Sequence, residues 1–194
     1  MDKFSYAIGL GIGQNLFGMG ATNISVADFA QAISDVLDGN PTAISHTEAR
    51  EIVNAYFTEL EEKMTNQNIQ KGKDFLDANQ IRPEVKTLPS GLQYEVINEG
   101  SGKKPKATDQ VRCHYEGTLI DGTLFDSSIK RGQPAVFGVN QVIQGWVEAL
   151  QLMTEGSKWR LYIPSELGYG AQGAGEMIPP HSTLIFDVEL LEVL

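Results

Sequence analysis

One cysteine, Cys113, in 194 residues rules out a disulfide within the chain. An unpaired thiol fits a reducing compartment, and cytoplasmic residence is the expectation. Histidine is nearly as scarce. His46, His114 and His181 lie far apart and lack the spacing of metal ligands, so no metal site is expected. Cys113 and His114 are neighbours, but adjacent residues of a strand point to opposite faces, so they form no local thiol–base dyad. There is no Gly-x-Ser-x-Gly elbow. No stretch is long and apolar enough to cross a bilayer, so no membrane insertion is expected. The glycine-rich run from Phe4 to Met19 has something of a signal-peptide core. However, Asp2 stands where such a peptide has a basic start, and Gln14 and Asn15 interrupt the run. We read it as an amphipathic helix of the mature chain, with export as the lesser alternative.

Positive charge is also short. Lys and Arg number 15 against 25 Asp and Glu, a formal net charge of −10. The deficit is equal in the two halves: seven basic against twelve acidic residues over 1–88, and eight against thirteen over 89–194. The longest basic cluster, Lys103-Lys104-Pro105-Lys106, reads as a solvated loop. Such a balance argues against nucleic acid and anionic membranes as partners.

What is present differs between the halves. The first is helical in pattern. Phe4, Ile8, Ile12 and Leu16 recur at i, i+4 spacing, with Gly9, Gly11 and Gly13 among them. Glycine costs a helix about 1 kcal/mol relative to alanine. Close approach to another helix is one compensation. A second helix is expected from Ser25, with Asp28 in a capping-box position, and Gly39-Asn40-Pro41 ends it. Its apolar face is Phe29, Ile33, Val36 and Leu37. A third begins at Ser45, with Glu48 completing the box, and carries Ile52, Val53, Tyr56, Phe57, Leu60 and Met64. Beyond Met64 the apolar residues thin out. The segment 65–79 is expected either to continue as a solvated stem bridging two domains or to fray at Gly72. Pro83 and Pro89 break any helix, which places a domain boundary near 80–90.

The second half alternates. Val111, Cys113, Tyr115 and Leu119 share one parity of a strand, and Asp121-Gly122 is a hairpin turn. Trp159, Leu161 and Ile163 face inward against Lys158, Arg160 and Tyr162; Leu184, Phe186, Val188 and Leu190 do the same in the last strand. Ile143, Trp146, Val147 and Leu150 have the spacing of one short helix. The glycine cluster at 168–175 lacks the Lys-Ser/Thr of a phosphate loop and reads as a flexible surface loop. Asp126, near Phe125 and Arg131, is by itself more often a turn residue than a catalyst. From the residues alone this is an α+β domain, an antiparallel sheet wrapped around a short helix, with many aromatics and no nucleophile. Those aromatics either fill a core or line an apolar pocket, and for Phe137 the two readings are equally weighted.

Five segments add a resemblance. Residues 111–119 (VRCHYEGTL), 122–128 (GTLFDSS), 142–146 (VIQGW), 168–171 (GYGA) and 178–190 (IPPHSTLIFDVEL) resemble, in order and spacing, the FKBP-type peptidyl-prolyl isomerases. The likeness covers about 89–194. The segment 89–94 (PSGLQY) behind a helical leader looks like the bacterial Mip-like branch. This implies a helical dimerisation domain with a stem helix over 1–85, an isomerase domain over 86–194, and a homodimer formed through residues 1–60. It also implies a pocket with Trp146 as floor under a substrate proline. Tyr115, Phe125, Phe137, Val142, Ile143, Ile178 and Phe186 would be its walls. The N–H of Ile143 and the hydroxyl of Tyr169 would donate to substrate carbonyls, and Asp126 would sit at the rim, oriented by Arg131. Met177 would border the pocket in place of a branched aliphatic. Ala135 replaces a Phe common at the pocket edge, and Ala174 replaces a His. The expected activity is therefore Xaa-Pro isomerisation in unfolded or partly folded proteins, with chaperone-like capture by the dimer, no cofactor, and macrolides as possible inhibitors. The alternatives are a non-catalytic chaperone clamp using the same pocket, and an interaction protein using only its leader.

Overall fold

The computed structural model describes residues 1–194, and contacts divide them into two compact units, Met1–Lys63 and Met64–Leu194.

The first unit holds helices α1 (Lys3–Gly18) and α2 (Val26–Asp38) and the start of α3 (His46–Asn79). Each begins at a side-chain cap that satisfies an orphan N–H of the first turn. Asp2 accepts from the Ser5 N–H at 2.7 Å, Ser25 from Asp28 at 3.4 Å, and Ser45 from Glu48 at 3.2 Å. Gly39 ends α2 in the left-handed region, φ 71°, where a Cβ would be strained. The expected apolar faces form, but almost nothing covers them. Ala21 is the only buried apolar residue of the unit; Phe29, Ile33, Val36, Ile52, Val53 and Tyr56 are exposed, and Leu37 is 79% exposed. A Cβ built on Gly9, Gly11 or Gly13 would meet no atom within 4 Å, so the close approach these glycines permit is not made within the chain.

The second unit is an antiparallel sheet. Its strands are β1 (Val85–Thr87), β2 (Gln93–Asn98), β3 (Gln110–Leu119), β4 (Leu124–Ser127), β5 (Ala135–Gly138), β6 (Lys158–Ile163) and β7 (Leu184–Val193). The order is β1-β2-β6-β7-β3-β4, with β5 also on β3. Helix α4 (Gln144–Leu150) lies on one face. The alternation read in β3, β6 and β7 holds: Val111, Cys113, Tyr115, Trp159, Leu161, Phe186 and Val188 are in one core with Trp146 and Leu150. Gly145 permits the close docking of α4, since a Cβ there would stand 2.6 Å from Ile163.

Helix α3 departs from expectation in part. It continues to Asn79, as one of the two expectations had it, but its last turns pack on the outer face of the sheet instead of standing in solvent. Gly72 is buried, and a Cβ on it would lie 2.5 Å from Thr183 Oγ1. Asn68 donates to the Pro180 carbonyl at 3.2 Å, and Asn79 donates to Gln93 at 2.9 Å. Phe75 meets Tyr162 at 6.0 Å between ring centroids. Tyr162, on the face of β6 opposite Trp159 and Leu161, is 3% exposed beneath this helix, its hydroxyl bonded to Arg82 and Glu95. By contacts alone the compact division falls after Lys63, because the last turns of α3 touch the sheet.

Candidate active site

Four aromatic rings close on one another where α4 meets the sheet. Trp146, 4% exposed, stands against three neighbouring rings: Tyr115 at 5.3 Å, Phe137 at 5.6 Å and Phe186 at 5.3 Å, all within 10° of perpendicular. Phe125 stands edge-on to Phe186 at 5.4 Å. Such T-shaped contacts match positive ring edges to negative faces. They fix a concave box over the indole, a cavity of about 620 Å³. Gly117 of β3 makes room for it, since a Cβ there would lie 2.6 Å from both Phe125 and Phe186. The Trp146 Nε1–H is buried and has no hydrogen-bond partner.

The mouth is polar on one side. The Tyr115 hydroxyl donates to Asp126 at 2.6 Å, and Arg131 donates both to Asp126 and, at 2.7 Å, to the Tyr115 oxygen. Burial alone raises the Asp126 carboxyl, but the bonds from Tyr115 and Arg131 outweigh it and hold the group below its ordinary value. Burial, with the bond to Asp126, pushes the Tyr115 phenol up. Burial likewise raises Tyr169, whose hydroxyl has no partner within the chain. Ile143 caps α4 in extended backbone; its carbonyl accepts from Trp146 and Val147, while its own N–H makes no bond within the chain.

The expected residues Tyr115, Phe125, Asp126, Phe137, Val142 and Ile143 line this cavity, as do Trp146, Tyr169, Met177, Ile178 and Phe186. Arg131 does not line it; it reaches the site through Asp126 and Tyr115. Ala135 does not line it either; it packs, partly buried, against the core. The sequence reading missed Gln141, Gly175 and Glu176, and it took the 168–175 loop for flexible surface. That loop is a wall: Ala174 and Ile178 pair through bonds of 2.9 and 3.2 Å, and the His181 N–H donates to the Gly170 carbonyl at 2.8 Å. Only Gly117, a glycine inside a strand, carried a local signal for close packing. Cys113, on the core face of β3, does not line the cavity, and burial pushes its thiol up to about 12. No three His, Cys, Asp or Glu side chains cluster as metal ligands would.

The sequence model of FKBP-type peptidyl-prolyl cis-trans isomerases matches residues 101–191, and that of the domain amino-terminal to them matches 1–96. The chain belongs to the FKBP-type isomerase family. It is 48% identical to the FKBP-type 22 kDa peptidyl-prolyl cis-trans isomerase of Escherichia coli K12, over 98% of this chain and 94% of that one. It is 41% identical to the outer membrane protein MIP of Legionella longbeachae, over 99% and 85%. The crystal structure of FkpA from Escherichia coli superposes with a TM-score of 0.82 at 35% identity, covering 98% of this chain and 95% of that one. As an FKBP, the protein is a peptidyl-prolyl cis-trans isomerase, and proline-containing polypeptide is its substrate.

Proposed function

We propose that the box over Trp146 holds the substrate proline ring and that the surrounding groups catalyse rotation about the bond before it. The observation that carries this is the Trp146 indole lining the cavity, with Tyr115, Phe137 and Phe186 packed around it. Rotation is slow because twisting destroys C–N resonance, at a cost of about 18–20 kcal/mol. The planar amide is the more charge-separated form, so an apolar cavity supports it less well than the twisted one. Preferential binding of the twisted form lowers the barrier. A millionfold gain needs about 8 kcal/mol. No bond breaks, so no nucleophile is needed. The free Ile143 N–H and Tyr169 hydroxyl are donors for the substrate carbonyls on either side, and Asp126, held ionised by Arg131, sets the field at the mouth. A coupled-protease assay on an Xaa-Pro tetrapeptide tests the assignment. The wild type should accelerate isomerisation and Phe186→Ala should lose most of it. Full activity in that variant would place the site elsewhere.

We further propose that the protein is a homodimer through residues 1–60 and captures unfolded chains in a chaperone-like way. Three helices with a single buried apolar residue are too open to be stable alone. A second copy of the same faces would cover them. Macrolides are the inhibitors proposed for the same box, and their affinity tests it independently. Cytoplasmic residence stays our proposal, resting on the lone Cys113 thiol; cell fractionation tests it.

A further inference from the structure

The segment 178–183 links two walls of the pocket. It starts at Ile178, 6% exposed in the cavity, and runs into β7, where Phe186 also lines it. It is poorly able to hold itself. Pro179 and Pro180 have no N–H to donate. His181 sits at φ 56°, the only non-glycine residue in the left-handed region, a conformation that persists only where the surroundings enforce it. Its own bonds are few: Ile178 with Ala174, His181 to Gly170, and the Ser182 hydroxyl to the Pro179 carbonyl at 2.7 Å.

What holds its middle is the stem helix. The Asn68 amide donates to the Pro180 carbonyl, and the bare Cα of Gly72 lets the α3 backbone close on Thr183. Asn68 and Gly72 are one helical turn apart, so they share a face. Lower down, the Gln93 amide donates to the Leu76 carbonyl at 3.0 Å and accepts from Asn79, which locks that face to β2. The helix is thus anchored to the sheet at one end and grips the strap further along.

We propose that Asn68 and Gly72 are positioning residues for the proline pocket, acting through the 178–183 strap on Ile178. The last turns of the helix are then part of the catalytic unit rather than a spacer. The proposal rests on the reading that the box over Trp146 is the proline site. Small displacements of a pocket wall are costly in rate, up to about a hundredfold for 1 Å.

The test uses the full-length protein and a tetrapeptide substrate, well below the thermal midpoint. Gly72→Ala should push on Thr183 and lower kcat/KM about tenfold. Gly72→Ala with Thr183→Ala should recover it, because removing Oγ1 leaves the nearest atom 3.5 Å away. Asn68→Ala should lower kcat/KM while its melting temperature stays close to wild type, and should shift the amide resonance of Ile178. A purely structural role would move the midpoint and leave kcat/KM alone. Phe186→Ala is the control. If it is fully active, the site reading fails. If it is impaired while Asn68→Ala and Gly72→Ala are fully active, the strap proposal is overturned by itself. Should Gly72→Ala fail to fold, Asn68→Ala decides: wild-type kcat/KM with an unmoved Ile178 resonance refutes it.

Discussion

The Tyr115 hydroxyl donates to the Asp126 carboxylate across 2.6 Å, joining a pocket wall to the charge at its mouth. Arg131 bonds to both, so the carboxylate is held ionised and aimed by two donors.

The pH dependence follows from that arrangement. The folded Asp126 carboxyl lies below its ordinary value of 3.8. Its contribution to stability is therefore fully present above 3.8 and is lost as pH falls through the lower folded value. Arg131→Ala should raise the folded value, so the acid limb of kcat/KM should begin at higher pH than in wild type. Superimposable pH–rate profiles would show that Arg131 does not tune Asp126.

Asp126→Ala and Phe186→Ala should separate charge from packing. Asp126 is 40% exposed at the side chain and its loss should leave the melting temperature nearly unchanged, while kcat/KM falls about tenfold. Phe186 is 4% exposed, and truncating it should cost about 3–5 kcal/mol of stability as well as activity. Calorimetry beside the peptide assay reads both. A stable, fully active Phe186→Ala would contradict the packing account.

Light scattering should return twice the chain mass at micromolar concentration. Removing residues 1–63 should give a folded monomer, because Met64–Leu194 is a compact unit containing the whole main core. A monomeric full-length protein would end the dimer proposal.

Substrate size should matter only with the helical unit present. Full-length protein and the 64–194 segment should agree within a few-fold on a tetrapeptide. Catalysis of a proline-limited refolding reaction should fall much further in the segment, since joined sites raise apparent affinity by about 10²–10⁴ without new contacts. Equal refolding rates at equal pocket concentration would assign residues 1–63 another role. The cut belongs at 64, since one at 86 would also remove Asn68 and Gly72.

Ala135→Phe should tighten macrolide binding. Ala135 is two residues from Phe137 on β5, so a ring there would extend the same wall into the cavity edge. The added apolar contact corresponds to about 1–2 kcal/mol, or 5–30-fold in Kd, by titration calorimetry. An unchanged Kd would mean that position 135 cannot reach the ligand.

The elements were legible where one local rule sufficed. Ser25 and Ser45 announced their helices because a cap is satisfied within four residues. The period of two in β3, β6 and β7 follows from one face meeting the core. The pocket residues came from recognisable segments, not from periodicity, which could not tell a Phe137 that packs a core from one that lines a cavity. The stem's length was foreseen, but its docking on the sheet was not, for a definable reason. Its buried face, Asn68, Gly72, Leu76 and Asn79, is mostly polar or bare, so a hydrophobic pattern cannot show it. Those side chains are satisfied by Pro180 and Gln93, partners distant in sequence. The 168–175 loop is at the surface, as its glycines suggested, but that it also lines the cavity was not legible, because those glycines look alike whether solvent or the Ile178 backbone lies beside them.

By itself the sequence determined what short-range forces control: helix starts and stops, strand faces, the hairpin at Asp121-Gly122, and the inward parity of Tyr115 and Phe186. Only the tertiary structure decided what joins across the chain: the tilt of three rings onto Trp146, the grip of Arg131 on Asp126 and Tyr115, and the docking of Gly72 against Thr183. These contacts depend on where separate elements come to rest. Whether a polar residue ends in water or against a distant carbonyl is settled by that packing and leaves no period along the chain.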